Sequence, residues 1–264
     1  MLLSRIRAKV NGILRRAFRV RSPTVRKGSG RIVALPYGRA ADRLQRWWGS
    51  ANLRQVKNDP SIQAVGFYMP NEKKKALIVV DVQNDFCPGG SLAVANGDQV
   101  VAPLNELMKE FLDRGEPVFK TRDWHPAKTK HFADYGGSWP VHCVRNTPGA
   151  EFHSGLLDDP RITIISKGID ESADGYSGFD GTNLAQNLRD QEVEEVWVGG
   201  LATDYCVKHT VLDALRQGFE VKALADAMRA VNVKPTDGAQ AIEEMRAAGA
   251  EIVGNERAAA GSGH

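Results

Sequence analysis

Residues 76–81 read Ala-Leu-Ile-Val-Val-Asp, a short apolar run that ends on an acid, and this stretch decides the fold. An uninterrupted run of this length is typical of a strand buried on both faces of a parallel sheet. Further strands and helices alternate after it. The pattern predicts strands at 76–80, 117–121, 161–166, 193–199, 219–224 and 251–253, and helices at 99–114, 182–189, 204–217 and 235–248. Such alternation predicts βαβ units with right-handed crossovers, so the fold class is α/β with a mainly parallel sheet.

The charge distribution separates this domain from the residues before it. Residues 1–68 hold 15 basic residues against two acidic ones, a charge of +13, whereas the rest hold 20 against 30 and the 264-residue chain totals +3. An acid-poor, Arg-rich segment with weak apolar periodicity cannot easily bury a core, so we expect a disordered leader. Three interpretations stay open: an organellar transit peptide, an arm that binds nucleic acid or anionic membranes, or sequence upstream of a true start at Met69.

The expected organisation is therefore a leader at 1–68, one α/β domain at 69–257 and a flexible tail at 258–264. No apolar run approaches the ~20 residues that a membrane span needs, which excludes an integral membrane protein. Three cysteines, at 87, 143 and 206, do not make a disulfide framework and favour a reducing compartment. We expect a cytoplasmic protein, or an organellar one if the leader is a genuine transit peptide.

The carboxyl ends of the predicted strands carry chemically active side chains. In chain order these are Asp81, then Asp123 with His125, then Lys167, and last Cys206. Because ligands bind at this edge of an open α/β sheet, we expect the side chains to converge on one site.

Cys206 is the candidate nucleophile. It falls in the first turn of a predicted helix, where unpaired N–H groups favour an anion, and a nearby Lys167 ammonium would lower the pKa of the thiol. Asp81 is placed to take the thiol proton and return it to a leaving amine. The backbone N–H groups of Ala202 and Cys206 would face a developing oxyanion. The alternative is a buried, inert thiol, which is the usual fate of a cysteine.

A second cluster consists of Asp123, His125, His131 and His142. An Asp and a His two residues apart at a strand end can point into one cavity, and imidazole with carboxylate suits Zn, Fe or Mn. We therefore predict one divalent transition metal. The alternative is that these loop histidines are solvated or bonded locally.

Seven segments in order resemble nicotinamidases, which belong to the isochorismatase-like cysteine hydrolases. The segments read ALIVVDVQNDF (76–86), CPGGSLAV, TRDWHPAKTKHF, SWPVHC, TPGAEF, SKGIDESADGYSGFDGT and GLATDYCVKHTVLDA. The resemblance implies a three-layer, doubly wound, six-stranded sheet of order 3-2-1-4-5-6. It also implies a catalytic triad, four metal ligands, an oxyanion hole bordered by a cis peptide bond, and aromatic walls of a ring pocket. The matching residues are Asp81, Lys167 and Cys206 for the triad, Asp123, His125, His131 and His142 for the metal, Leu201–Ala202 for the cis bond, and Phe86, Trp139 and Tyr176 for the walls.

The implied reaction is hydrolysis of nicotinamide to nicotinate and ammonia through a cysteine acyl-enzyme, in NAD salvage. The metal would hold the pyridine nitrogen, and pyrazinamide would also be accepted. Another isochorismatase-like amidohydrolase is the first alternative, although such enzymes generally lack the Asp-x-His, His, His set. A basic nucleic-acid-binding protein with an idle domain is the second, but the leader has no matching fold or repeat signature. We expect a small-molecule partner and no nucleic acid, with the oligomeric state left open.

Overall fold

The computed structural model describes residues 73–254. The predicted leader at 1–68 and the predicted tail at 258–264 lie outside the described residues. Among residues 73–254, no helix combines the length and the apolar character needed to cross a bilayer.

Within the described residues, six parallel strands form a single sheet of order β3-β2-β1-β4-β5-β6. The strands are β1 (Lys75–Val80), β2 (Val118–Asp123), β3 (Thr163–Lys167), β4 (Glu195–Leu201), β5 (Glu220–Arg229) and β6 (Glu251–Val253). The α-helices of the same residues are α1 (Val101–Asp113), α2 (Leu184–Asp190), α3 (Lys208–Arg216) and α4 (Asp237–Ala247). The strand order runs outward in both directions from the β1–β4 pair, so the crevice expected in a doubly wound fold lies at the carboxyl ends of these two strands.

Side chains of the central strands β1 and β4 are buried on both faces of the sheet, as the apolar runs predict. Leu77 and Val79 of β1 point to one face, where Leu104, Met108 and Phe111 of α1 cover them. The alternate β1 residues point to the other face, which is covered by helices α2, α3 and α4. The three layers and the α/β class predicted from the sequence are confirmed.

Two elements differ from the sequence prediction. Strand β5 continues five residues beyond the predicted end at 224 and pairs with β4 as far as Leu201 and Arg229, after a register shift between Val198 and Gly200. The helix predicted from residue 204 begins as a π-helical turn over Thr203–Val207, and regular α3 follows it. Both differences lie beside the crevice, so they bear directly on the site.

Candidate active site

The carboxyl ends of four neighbouring strands bring together the three predicted catalytic side chains and one predicted metal ligand, Asp123. Asp81 follows β1, Asp123 and Lys167 end β2 and β3, and Cys206 lies in the turn after β4. All four are buried, with at most 7% of any residue exposed. The convergence expected from the strand ends is therefore what the structure contains.

The Lys167 ammonium lies at the centre of this group. Its Nζ is 2.7 Å from Asp81 Oδ2, and it donates to Asp123 Oδ1 at 2.5 Å and to the Gly175 carbonyl at 2.6 Å. The same Nζ is 3.5 Å from Cys206 Sγ. Burial opposes the charge on Lys167, but the two carboxylates outweigh burial and hold the pKa of Lys167 well above its usual range. A fixed cation thus lies within reach of both the thiol and its candidate base.

Burial favours the neutral forms of Asp81 and Cys206. It raises the pKa of Asp81 to about 6, although the Lys167 ammonium and a hydrogen bond of 2.7 Å from Thr121 Oγ1 both oppose the rise. Burial likewise raises the pKa of Cys206 well above its ordinary value, and the Lys167 charge offsets only part of that rise. The expectation that the pKa of Cys206 is lowered is wrong. Loss of hydration destabilises the buried thiolate by more than the charge of the Lys167 ammonium stabilises it. Cys206 is therefore a thiol at neutral pH, and it could act as a nucleophile only if a base took its proton.

The turn that carries Cys206 is held by its own backbone. The Leu201–Ala202 peptide bond is cis, as the family resemblance implies. The Ala202 carbonyl then accepts the N–H groups of Tyr205 and Val207, both at 3.1 Å. This places Cys206 inside a rigid turn, and the oxyanion-hole role of the Ala202 and Cys206 N–H groups stays a prediction.

The approach to this turn requires a glycine at position 200. Gly200 has φ +127°, and a Cβ there would lie 2.1 Å from the Val80 carbonyl oxygen. Only a residue without a side chain lets β4 pass this close to β1 in that conformation. The close approach of β4 to β1 therefore explains the glycine at position 200, shortly before Cys206.

The three predicted histidine ligands form a second buried cluster beside the triad. Their ligating nitrogen atoms lie within 4.8 Å of one another. In each imidazole, Nδ1 faces an outer oxygen atom, which leaves Nε2 for the interior of the cluster. The outer partners are the Gly168 carbonyl at 3.0 Å for His125, Asp174 Oδ1 at 3.4 Å for His131, and the Pro140 carbonyl at 2.7 Å for His142.

The interior of the cluster fits a divalent cation. His125 Nε2 is buried and has no hydrogen-bond partner among the described residues. Asp123 Oδ2 lies 3.7 Å from His125 Nε2 and 4.0 Å from His142 Nε2. Burial lowers the pKa of His142 to about 4, which keeps its nitrogen lone pair free at neutral pH. Imidazole nitrogens and one carboxylate oxygen are donors that Zn, Fe and Mn accept.

One cavity is lined by Cys206 and by His131 and His142 of the histidine cluster. Its walls include the three predicted aromatic residues, Phe86, Trp139 and Tyr176. Trp139 Nε1 donates to the Tyr176 hydroxyl at 2.8 Å, which joins two of these walls. The sequence did not predict Leu92, Tyr205 or Val231 as lining residues. The cavity is narrow and aromatic, which suits a flat ring.

Two supporting residues were also missed, and both follow β1 directly. Gln83 exchanges hydrogen bonds of 2.8 Å with the backbone N–H and carbonyl of Asp123, so it fixes the end of β2. Asp85 Oδ2 accepts the N–H of Cys143 at 2.7 Å, next to the predicted ligand His142. Polar residues immediately after a fully buried strand were the signal that could have revealed them.

Similarity to known proteins agrees with this geometry. The isochorismatase domain family matches residues 75–257. The nicotinamidase of Escherichia coli is 43% identical over 199 residues, which cover 67% of this chain and 93% of that protein. The nicotinamidase/pyrazinamidase of Mycobacterium tuberculosis is also 43% identical and covers 68% of this chain and 98% of its own length.

Solved structures agree as well. The pyrazinamidase of Pyrococcus horikoshii in complex with zinc is 47% identical, with a TM-score of 0.66 over 69% of this chain and 99% of that one. The yeast nicotinamidase bound to the inhibitor nicotinaldehyde is 31% identical, with a TM-score of 0.64 over 69% of this chain and 100% of that chain. The chain therefore belongs to the isochorismatase family, as an amide-bond hydrolase similar to nicotinamidases and pyrazinamidases.

Proposed function

We propose that this protein is a nicotinamidase, which hydrolyses nicotinamide to nicotinate and ammonia through a cysteine acyl-enzyme in NAD salvage. One observation carries the proposal: a single cavity is lined by Cys206, by His131 and His142 of the histidine cluster, and by aromatic side chains. A pyridine ring that bears a carboxamide has its reactive carbon and its ring nitrogen at two separate positions. The cavity offers a partner for each. Pyrazinamide has the same two features, so we expect it to be a substrate as well.

The first half of the reaction forms the acyl-enzyme. Asp81 takes the proton of the Cys206 thiol, and the sulfur attacks the amide carbon. The N–H groups of Ala202 and Cys206 stabilise the negative oxygen of the tetrahedral intermediate. The Lys167 ammonium, 3.5 Å from the sulfur, favours the thiolate at the moment it forms.

The first half ends when protonated Asp81 gives its proton to the departing nitrogen, which leaves as ammonia as the C–N bond breaks. The second half hydrolyses the resulting thioester. Asp81 then accepts a proton from water, and that water attacks the thioester carbon. When the C–S bond breaks, Asp81 returns this proton to the sulfur, which restores the thiol and the carboxylate, and the nicotinic acid loses its proton to solvent as nicotinate. One carboxyl group with a pKa of about 6 is suited to act as a base and an acid in turn.

Four residues would hold the metal: Asp123, His125, His131 and His142. When bound, a divalent cation of the Zn, Fe or Mn class supplies a Lewis acid that holds the ring nitrogen of the substrate. The protein supplies the ring orientation as well, because Phe86, Trp139 and Tyr176 confine the ring to a flat slot. A stacked aromatic contact of this type contributes about 1 kcal/mol.

The test is ammonia release from three amides by the purified chain. Nicotinamide should be hydrolysed rapidly, and benzamide, which lacks the ring nitrogen, much more slowly. N-carbamoylsarcosine represents the alternative amidohydrolases, since the amidase of Thermoplasma acidophilum that acts on it is 28% identical with a TM-score of 0.59. A preference for the carbamoyl compound over nicotinamide would refute the proposal. Addition of a chelator followed by Zn, Fe or Mn tests whether the cluster holds the metal.

Location and partners follow from the same proposal. We infer that the reaction takes place in the cytoplasm, or in an organelle if residues 1–68 are a transit peptide. The partner is the small-molecule amide, and neither nucleic acid nor an integral membrane contact is needed for the chemistry. Fractionation of cells with an antibody to residues 73–254 tests the compartment.

A further inference from the structure

Asp204 is a buried carboxylate in the nucleophile turn that the proposed chemistry does not use. It is 5% exposed. Its two oxygen atoms accept hydrogen bonds from two consecutive backbone groups, the Val231 N–H at 2.9 Å and the Asn232 N–H at 2.8 Å. Both donors lie in the connection between β5 and α4, so Asp204 links that connection to the turn after β4.

The connection that Asp204 holds forms part of the cavity. The Val231 side chain lines the cavity together with Ala202, Tyr205 and Cys206. Asn232 adopts a left-handed conformation with φ +54°, and its Oδ1 accepts the N–H of Gly238 in the first turn of α4 at 2.9 Å. Val231 therefore lies in the chain between the end of strand β5 and Asn232, whose side chain contacts helix α4.

We propose that Asp204 is a positioning residue, which fixes Val231 as a wall of the ring pocket and so sets the affinity for the aromatic carboxamide. The inference rests on the proposed function. Two adjacent N–H groups that converge on one side chain need two acceptor atoms, and a carboxylate provides both. An asparagine would keep one acceptor and turn an NH₂ group toward the other N–H, which displaces the connection.

The nucleophile is held independently of this side chain. The Ala202 carbonyl accepts the Tyr205 and Val207 N–H groups, and these backbone bonds do not involve the Asp204 carboxylate. The Lys167 contact to Cys206 is also separate from it. Loss of the carboxylate should therefore disturb the ring wall far more than the thiol. This difference separates positioning of the pocket from a general structural role.

The first experiment compares Asp204→Asn with the wild-type protein and a matched control, Val233→Ala. Val233 lies in the same connection and is 65% exposed, so the control alters the connection and keeps the Asp204 carboxylate and both of its N–H donors. Asp204→Asn should raise KM for nicotinamide roughly tenfold, the scale of one hydrogen bond to a charged group, and raise the inhibition constant of nicotinate by the same factor. The kcat and the rate of Cys206 alkylation should change less than about twofold, because the turn keeps its backbone bonds. Val233→Ala should leave KM unchanged.

A double-mutant cycle tests whether Asp204 acts through Val231. Val231→Ala should raise KM in the wild-type background and add little in the Asp204→Asn background, since the wall is already displaced. The proposal would be overturned if the effects of Val231→Ala and Asp204→Asn on KM were additive. It would also be overturned if Asp204→Asn left KM unchanged, or if its kcat fell as much as its kcat/KM. Wild-type activity on nicotinamide is measured in parallel. A wild-type protein that does not hydrolyse nicotinamide would refute the proposed function, whereas an active wild type with an unchanged KM in Asp204→Asn would refute this inference alone.

A measurement on the unaltered protein covers the case in which Asp204→Asn does not fold. Amide hydrogen exchange of the wild-type protein should find the Val231 and Asn232 N–H groups protected, while the Val233 N–H next to them exchanges faster. Equal, rapid exchange of all three would mean that the carboxylate does not hold the connection, and the proposal would be wrong.

Discussion

Removal of one hydroxyl group should shift the pH dependence of the reaction. Thr121 Oγ1 donates to Asp81 Oδ1 at 2.7 Å, and both residues are fully buried. The bond favours the charged form of Asp81, so Thr121→Val should raise the pKa of Asp81 further. A hydrogen bond to a charged group contributes roughly 1.5–3 kcal/mol, and one pH unit corresponds to 1.36 kcal/mol, so the rise should be roughly one to two pH units.

The sign follows from the proposed role of Asp81 as a base. The deprotonated carboxylate is the active form, so kcat/KM rises with pH through the pKa of the free enzyme, which is about 6 for Asp81. A higher pKa moves this acid limb to higher pH. The variant should lose roughly five- to fiftyfold in kcat/KM at pH 6 and approach the wild-type value near pH 9, where Asp81 is ionised in both proteins.

Thr121→Ser is the matched control. Valine keeps the methyl group of Thr121, which lies close to Gly178, and loses the hydroxyl, whereas serine keeps the hydroxyl and loses the methyl. Only valine should move the acid limb of the kcat/KM profile for nicotinamide. If the profiles of Thr121→Val and wild type coincide, or if the serine variant shifts equally, Asp81 is not the group whose ionisation limits the reaction.

Four further outcomes follow from the site and the domain. Cys206→Ala should release no ammonia yet keep its metal content and melting temperature, and residual turnover would contradict the acyl-enzyme. Lys167→Met leaves two buried carboxylates without their shared cation, so the free energy of unfolding measured in urea should fall by roughly 3–5 kcal/mol. His125→Ala should lose most of the bound metal in elemental analysis, and full retention would exclude this residue as a ligand. A chain that begins at Met69 should match the full chain in turnover and melting temperature, because the family match starts at residue 75; a tenfold loss would assign residues 1–68 a part in the site.

Much of the fold was predictable because a parallel strand that is buried on both faces has a continuous apolar run in the sequence. The run at 76–80 is apolar at every position, and the acid at Asp81 marks where it leaves the sheet. The extension of β5 over residues 225–229 was not predictable, since Ala-Asp-Ala-Met-Arg has neither an apolar run nor high strand propensity. Pairing with β4 after the register shift decides its conformation.

The sequence predicted which residues form the site, but it did not predict how deeply they are buried or which residues surround them. Strand ends placed Asp81, Lys167 and Cys206 together, but the pKa of the thiol depends on how completely the site is buried, which the sequence does not state. Val231 reaches the pocket through the connection after β5, and its neighbours in sequence give no sign of it. Long-range packing of this kind is set by the whole sheet and cannot be read from a local motif.

The register of the sheet itself creates the central contact of the site. Asp123 and Lys167 are direct partners in the β2–β3 pairing, so both side chains leave the same face of the sheet at its carboxyl edge. A slip of one residue would turn one of the two toward the opposite face, and the bond of 2.5 Å between them would be lost. Asp123 uses Oδ1 for the ammonium and turns Oδ2 toward the histidine cluster, 3.7 Å from His125 Nε2. One carboxylate at one register position therefore contacts the ammonium beside the Cys206 thiol and also faces the candidate metal ligands. The β2–β3 register thus links the proposed catalytic group to the proposed metal site.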